Sequence, residues 1–153
     1  MTRPPAPSSP EAAAADAAPF AVLRIDHVVL RVRDAARSMA FYCDVLGCTL
    51  EKRRDDLGLV HLRAGSSLID LVTHDGKLGR QGGALAGREG RNVDHLCLRI
   101  EPFDEAAIRA RMARHGVPVQ GEVQNNFGAE GSGPSIYLED PDGNGVELKG
   151  PAA

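Results

Sequence analysis

Apolar and polar positions along this chain alternate in short runs, give way to helical spacing, and return to alternation, and the whole cycle occurs twice. Residues 25–32 read Ile-Asp-His-Val-Val-Leu-Arg-Val and residues 93–100 read Val-Asp-His-Leu-Cys-Leu-Arg-Ile. Such runs predict strands, the first over 22–32 and its echo over 93–100. After the first strand, Asp34 suits a helix N-cap; Met39, Tyr42, Cys43 and Leu46 keep helical spacing, and Gly47 stands at a C′ stop. Residues 50–54 and 59–63 predict strands around an Asp-Asp-Leu-Gly turn, and 67–73 predict a fourth. The second cycle predicts a helix from Asp104 to His115, ended by Gly116, with Ala107, Ile108, Ala110 and Met112 on its buried side. Strands are expected at 117–123 (edge-like because of Pro118), 135–139 and 145–149. The last two are joined by the turn Asp140-Pro141-Asp142-Gly143-Asn144.

The repeat extends beyond the opening strands. Asp, His, Leu and Arg recur with a shift of 95 − 27 = 68 residues, and Ile69-Asp70-Leu71 is echoed by Val146-Glu147-Leu148 with a shift of 147 − 70 = 77. Each half therefore opens on a strand carrying a histidine and closes on one carrying an acid. The expected fold class is α+β: two paired βαβββ modules, 22–73 and 93–150, forming a curved mixed sheet with a cleft. The domain spans 21–150, behind an Ala/Pro-rich disordered tail at 1–20 that lacks the basic start and apolar stretch of a secretory signal. The linker 74–92 carries six glycines and reads equally as a lid or a solvated connector.

Composition narrows the classes. A net charge of −3 argues against a nucleic-acid face, which must be basic, and no apolar run has the length of a membrane span. The cysteines Cys43, Cys48 and Cys97 are odd in number and form no Cys-x-x-Cys pair, so reduced thiols in a cytoplasmic protein are expected, with Cys97 a small core residue.

Four residues carry the candidate chemistry: His27, Asp70, His95 and Glu147. A lone strand histidine is more often a hydrogen-bonded structural residue than a ligand. Asp70 is harder to explain that way. Its neighbours Leu68, Ile69, Leu71 and Val72 are apolar, and a carboxylate among them costs several kcal/mol unless paired or metal-bound. If the modules pair about a pseudo-twofold axis, the two histidines and two acids converge on a mixed N/O site suited to zinc, nickel, iron(II) or manganese. Arg31 and Arg99 share the histidines' faces and could meet an anionic substrate, a salt bridge being favoured for Arg99. His74 ends the fourth strand beside the linker and is a candidate pocket residue. His61 and His115 read as surface residues. Asp26 and Asp94 alternate away from the histidines and read as strand or helix contacts.

The stretches Asp26–Val32, Ser38–Tyr42 with Val45-Leu46-Gly47, Val93-Asp94-His95 and Tyr137–Leu148 together resemble the vicinal oxygen chelate superfamily, which includes glyoxalase I, extradiol dioxygenases, fosfomycin-resistance transferases and bleomycin-binding proteins. The resemblance covers roughly residues 22–150. It implies a divalent metal (Ni, Zn, Mn or Fe) on His27, Asp70, His95 and Glu147, with Arg31 and His74 toward the substrate. Asp70 departs from the usual Glu of glyoxalase I. The activity it implies first is that of a glyoxalase-like lyase or isomerase acting on a small substrate with vicinal oxygens through an enediolate, with Glu147 as the base. An extradiol iron(II) dioxygenase is the alternative, with His74 and Tyr137 as acid/base candidates. A metal-free drug-binding module is a third. Glutathione is an open cosubstrate, although glyoxalase I carries Asn at the place of His74 and an aromatic at that of Asn144. A homodimer is also implied.

Overall fold

The structure, a computed structural model, describes residues 20–85, 87 and 89–152; of the expected tail, residues 1–19 lie outside this set. The element order is β1 (His27–Val32), α1 (Ala35–Met39), a wider π-helical turn (Ala40–Val45), β2 (Thr49–Arg54), β3 (Leu59–Ala64) and β4 (Ser67–Thr73). A 3₁₀ turn (Gly79–Gly82) lies in the linker. Then come β5 (His95–Arg99), α2 (Glu105–Arg114), β6 (Gln120–Gly128), β7 (Gly131–Glu139) and β8 (Gly145–Lys149). The strands form two four-stranded mixed sheets in the orders β1-β4-β3-β2 and β5-β8-β7-β6. In each, the first strand runs parallel to the last, and the others are antiparallel. The paired βαβββ modules expected from the repeat are therefore present, and each acid stands on a central strand beside the histidine's edge strand.

Local chemistry sets the helix ends. Asp34 Oδ1 accepts from the Ala36 and Arg37 amides at 2.8 and 3.2 Å, and Asp104 Oδ1 accepts from Ala107 N at 3.0 Å. Gly47 and Gly116 follow the helices with φ of 83° and 67°, a backbone region that favours residues without Cβ. The predicted spans need correction at three places. The first strand begins at His27, not 22, and Val22, Leu23 and Ile25 are exposed. The predicted strands at 117–123 and 135–139 are the longer β6 and β7, which extend toward each other into one hairpin. On α2, Met112 is buried and Ile108 half-buried, whereas Ala107 and Ala110 face water.

One apolar core serves both modules. It joins Val32, Leu62, Ile69 and Leu71 of the first sheet to Ile136, Leu138, Val146 and Leu148 of the second, with Phe41, Tyr42 and Met112 from the helical segments. Burial of these side chains is the main stabilising term, at roughly 1.5–3 kcal/mol each. Polar ties cross between modules as well. The buried Asp140 carboxylate accepts the Tyr42 hydroxyl at 2.9 Å, and also Asp142 N, Asn144 N and Asn144 Nδ2 at 2.8–2.9 Å. Arg33 donates to Asp142 Oδ1 at 3.1 Å, and Arg111 reaches the carbonyls of Asp44 and Val45. Since the apolar faces are spent on this core, the opposite faces carry the histidines and acids, with Asp70 and Glu147 themselves buried.

Candidate metal half-sites

His95 opens β5 and points along the polar face of the second sheet. Its Nδ1 meets Asp94 Oδ2 at 2.8 Å, and its Nε2 meets Glu147 Oε2 at 2.9 Å. Gly145 makes this possible: it pairs with His95, and a Cβ there would lie 2.9 Å from His95 Cβ and 2.8 Å from Asp94 O. Glu147 is 5 % exposed, and Asn126 Nδ2 bridges its Oε1 (3.4 Å) to the Tyr137 hydroxyl (2.8 Å). Burial pushes the Glu147 carboxyl up, but Ser135, Asn126 and Cys97 beside it, with His95, outweigh burial and leave it lowered. Burial and the Glu147 carboxylate raise Tyr137, so its phenol keeps its proton. The Tyr137 ring stands edge-on to His95 at 5.6 Å between centroids. Two cavities flank the imidazole. One, of about 400 Å³, is lined by Arg91, Asp94, Tyr137 and Glu139; the other, of about 340 Å³, by Cys97, Phe127, Glu147 and Lys149.

The first sheet carries the counterpart. His27 Nδ1 meets Asp26 Oδ1 at 2.9 Å, and this bond is the largest cause of the raised His27 pKa. Asp70, 6 % exposed, lies on the same face and adds to that rise. Across the β3–β4 ladder it pairs with His61, whose Nδ1 approaches Asp70 Oδ1 to 2.7 Å. His61 therefore stands to Asp70 as Tyr137 stands to Glu147 in the second ladder.

The donor chemistry fits a divalent metal. With Nδ1–H given to Asp94, Nε2 is a lone-pair donor facing a carboxylate, an arrangement that requires a proton or a cation between the two. Nε2 and Oε2 are 2.9 Å apart, a direct hydrogen-bond contact, shorter than the ~3.4 Å between two ligand atoms on a tetrahedral zinc. An acid partner on Nδ1 is also how metal-binding histidines are oriented.

Residues 24–148 match the profile of the Glyoxalase/Bleomycin resistance protein/Dioxygenase superfamily. The chain belongs to this superfamily. Among curated proteins it is 30% identical over 135 residues to a lactoylglutathione lyase of Salmonella typhimurium, covering 82% of this chain and 91% of that one. It is 27% identical over 125 residues to a catechol-2,3-dioxygenase of Bacillus subtilis, covering 81% of this chain but only 40% of the dioxygenase. The crystal structure of virulence protein STM3117 from Salmonella typhimurium superposes with a TM-score of 0.70 at 26% identity, over 87% of this chain and 100% of that one. The fold class expected from the repeat is thus shown, with relatives named for both lyase and dioxygenase chemistry.

Within one chain the four expected ligands lie in two pairs, and among the described residues no three His, Cys, Asp or Glu side chains gather closely enough to hold a metal. They form two half-sites because the shared core joins the apolar faces of the two sheets and turns the histidine faces outward. Arg31 does not await an anion. Its guanidinium donates to the carbonyls of Gly79, Gly82, Gly83 and Ala84 at 2.6–3.1 Å, which pins the linker segment 79–84 as neither an open lid nor a loose connector. His74 is exposed and lines neither cavity beside His95. Asp26 and Asp94 bond the histidines instead of pointing away, because each precedes its strand and is free of strand alternation. The doubled Asp-His dipeptide was the signal for this. His61 is a half-buried partner of Asp70. Cys97 faces the Glu147 cavity rather than the core. Arg99 is held by Glu130 and Glu101 at 2.8 and 3.0 Å, in keeping with the expected salt bridge.

Proposed function

We propose that this protein is a divalent-metal-dependent enzyme of the superfamily, acting as a glyoxalase-like lyase or isomerase on a small substrate with vicinal oxygens. The observation that carries this reading is the Asp94–His95–Glu147 chain, whose 2.8 and 2.9 Å contacts leave an imidazole nitrogen and a carboxylate facing each other. His95 and Glu147 would hold the metal from one module, with His27 and Asp70 from the other. A metal held there would supply Lewis acidity. Glu147, lowered and ionised, is the base for a proton on the carbon beside the polarised carbonyl. Asn126 donates both to that carboxylate and to the Tyr137 hydroxyl, and Tyr137, raised by burial and by Glu147, stays a protonated donor beside it.

The two half-sites complete each other in a homodimer. Edge strands β1 and β5 are unpaired on their outer sides within their sheets, and exposed Val29 (50 %) and Val93 flank the two histidines. A second copy laid edge to edge would bring its His27 and Asp70 opposite His95 and Glu147. Tyr137 beside His95 also favours a second reading, an iron(II) extradiol dioxygenase, since a protonated phenol there could donate to a catechol.

The test is the metal content of the purified protein, repeated for His95→Ala, with the oligomeric state measured in parallel. Near-stoichiometric nickel, zinc or manganese, lost in the variant, sends the protein to hemithioacetal and epimerase assays. Iron with catechol cleavage would replace the lyase by the dioxygenase. A protein that binds no metal after reconstitution would refute both.

A further inference from the structure

Asp70 is the acid of the first half-site, and it is buried in the middle of β4. Taking a carboxylate out of water costs several kcal/mol unless a donor or a cation meets it. His61 meets it. Along β3, Val60 and Leu62 are buried in the shared core, so alternation puts His61 on the opposite face, with Arg63. The ladder then sets His61 beside Asp70, and Asp70 beside Val29 of β1, two residues from His27. Asp70 therefore stands between the two histidines of its sheet. Arg63, the next cation along β3, is drawn off to Glu51 at 3.2 Å.

The bond between them has one sense. An ionised carboxylate only accepts, so the 2.7 Å contact of His61 Nδ1 with Asp70 Oδ1 is an N–H donated by the imidazole. A charge-assisted bond of this kind is stronger than one between neutral groups, and it fixes the orientation of the carboxylate. It occupies one of the two oxygens. The second module meets the same need with different chemistry. There the ladder partner of Glu147 is Tyr137, and Asn126 donates to Glu147 Oε1 at 3.4 Å. Glu147 has one methylene more than Asp70 and reaches His95 itself. Asp70 is the shorter acid, and its donor comes from the adjacent strand.

We propose that His61 is a positioning residue for the metal: its Nδ1–H holds Asp70 Oδ1 and leaves Oδ2 to ligate the ion together with His27. This rests on the reading of His27 and Asp70 as ligands. A ligating carboxylate is itself hydrogen-bonded as a rule, and the partner that orients it contributes to metal affinity without touching the ion. The gain comes from ordering the side chain before the ion arrives, so that binding does not bear that cost.

The experiment titrates the full chain with nickel and with zinc against a chromogenic chelator and reads the dissociation constant. Melting of each metal-free variant reports its folding. His61→Phe keeps a ring and loses the donor, and it should weaken metal binding about tenfold or more. His61→Asn puts an amide N–H near the place of Nδ1 and should restore the affinity to within about threefold of wild type. If His61→Phe does not fold, His61→Leu takes its place. In an Asp70→Asn background His61→Phe should cost nothing further, because the carboxylate it held is gone. Wild-type affinity in His61→Phe overturns the proposal. So does an Asn variant as weak as the Phe one, or an undiminished loss in the Asp70→Asn background, which would make His61 a ligand in its own right. A wild type that takes up no metal refutes the metal reading as well, and that failure shows before any variant is compared.

Discussion

Replacing Tyr42 by Phe tests the polar tie that joins the two modules. Tyr42 is fully buried, and its hydroxyl donates to the Asp140 carboxylate at 2.9 Å. Burial and the neighbouring carboxylate push its phenol far above the ordinary range, so it stays protonated and donates to Asp140. The substitution keeps the ring in the core and removes one hydrogen bond to a charged acceptor, a loss of roughly 1.5–3 kcal/mol. Asp140→Ala removes more. It strands the buried hydroxyl and frees the amides of Asp142 and Asn144, which Asp140 Oδ1 now accepts at 2.9 and 2.8 Å. Its cost should be about 3–5 kcal/mol. The double variant should be no worse than Asp140→Ala alone, since the shared bond is already lost. Urea unfolding at constant m-value measures all three. In melting temperature, each kcal/mol is worth about 3–5 °C for a domain of this size. A Tyr42→Phe loss below about 0.5 kcal/mol, or strictly additive losses in the double variant, would refute the view that this bond ties the modules. The same turn leads into β8, so Asp140→Ala should also weaken metal retention at Glu147, read by elemental analysis.

Three further outcomes follow from the geometry. Arg31→Met removes four carbonyl contacts from the linker, and limited proteolysis should then cut within residues 79–84 at least several-fold faster, with the core intact. Leu62→Ala empties a fully buried site in the shared core and should cost about 2–5 kcal/mol by denaturant titration. On the metal reading, chelator should lower the melting temperature of the wild type and leave His95→Ala unmoved, because a ligand stabilises only the state that binds it.

What the chain determines locally is legible without its tertiary structure. The doubled His and acid strands, the Asp34 and Asp104 caps and the Gly47 and Gly116 stops all depend on a few adjacent residues, and the structure places them as their spacing predicts. The superfamily was legible for the same reason: its signals are short stretches with local geometry. Tertiary structure decided matters that depend on which faces meet. The core shared by Val32, Leu71, Ile136 and Leu148 turned the histidine faces outward and divided the four expected ligands into two half-sites. Arg31 was drawn to the carbonyls of residues 79–84, some fifty positions away, and His61 to Asp70 across a ladder. Lys149 ends β8, and the β6–β7 hairpin buries it, with its ammonium against the carbonyls of Asn126 and Gly133. Charge placement of this kind follows from packing, because burial of a side chain is set by the elements laid over it and not by its neighbours in the chain.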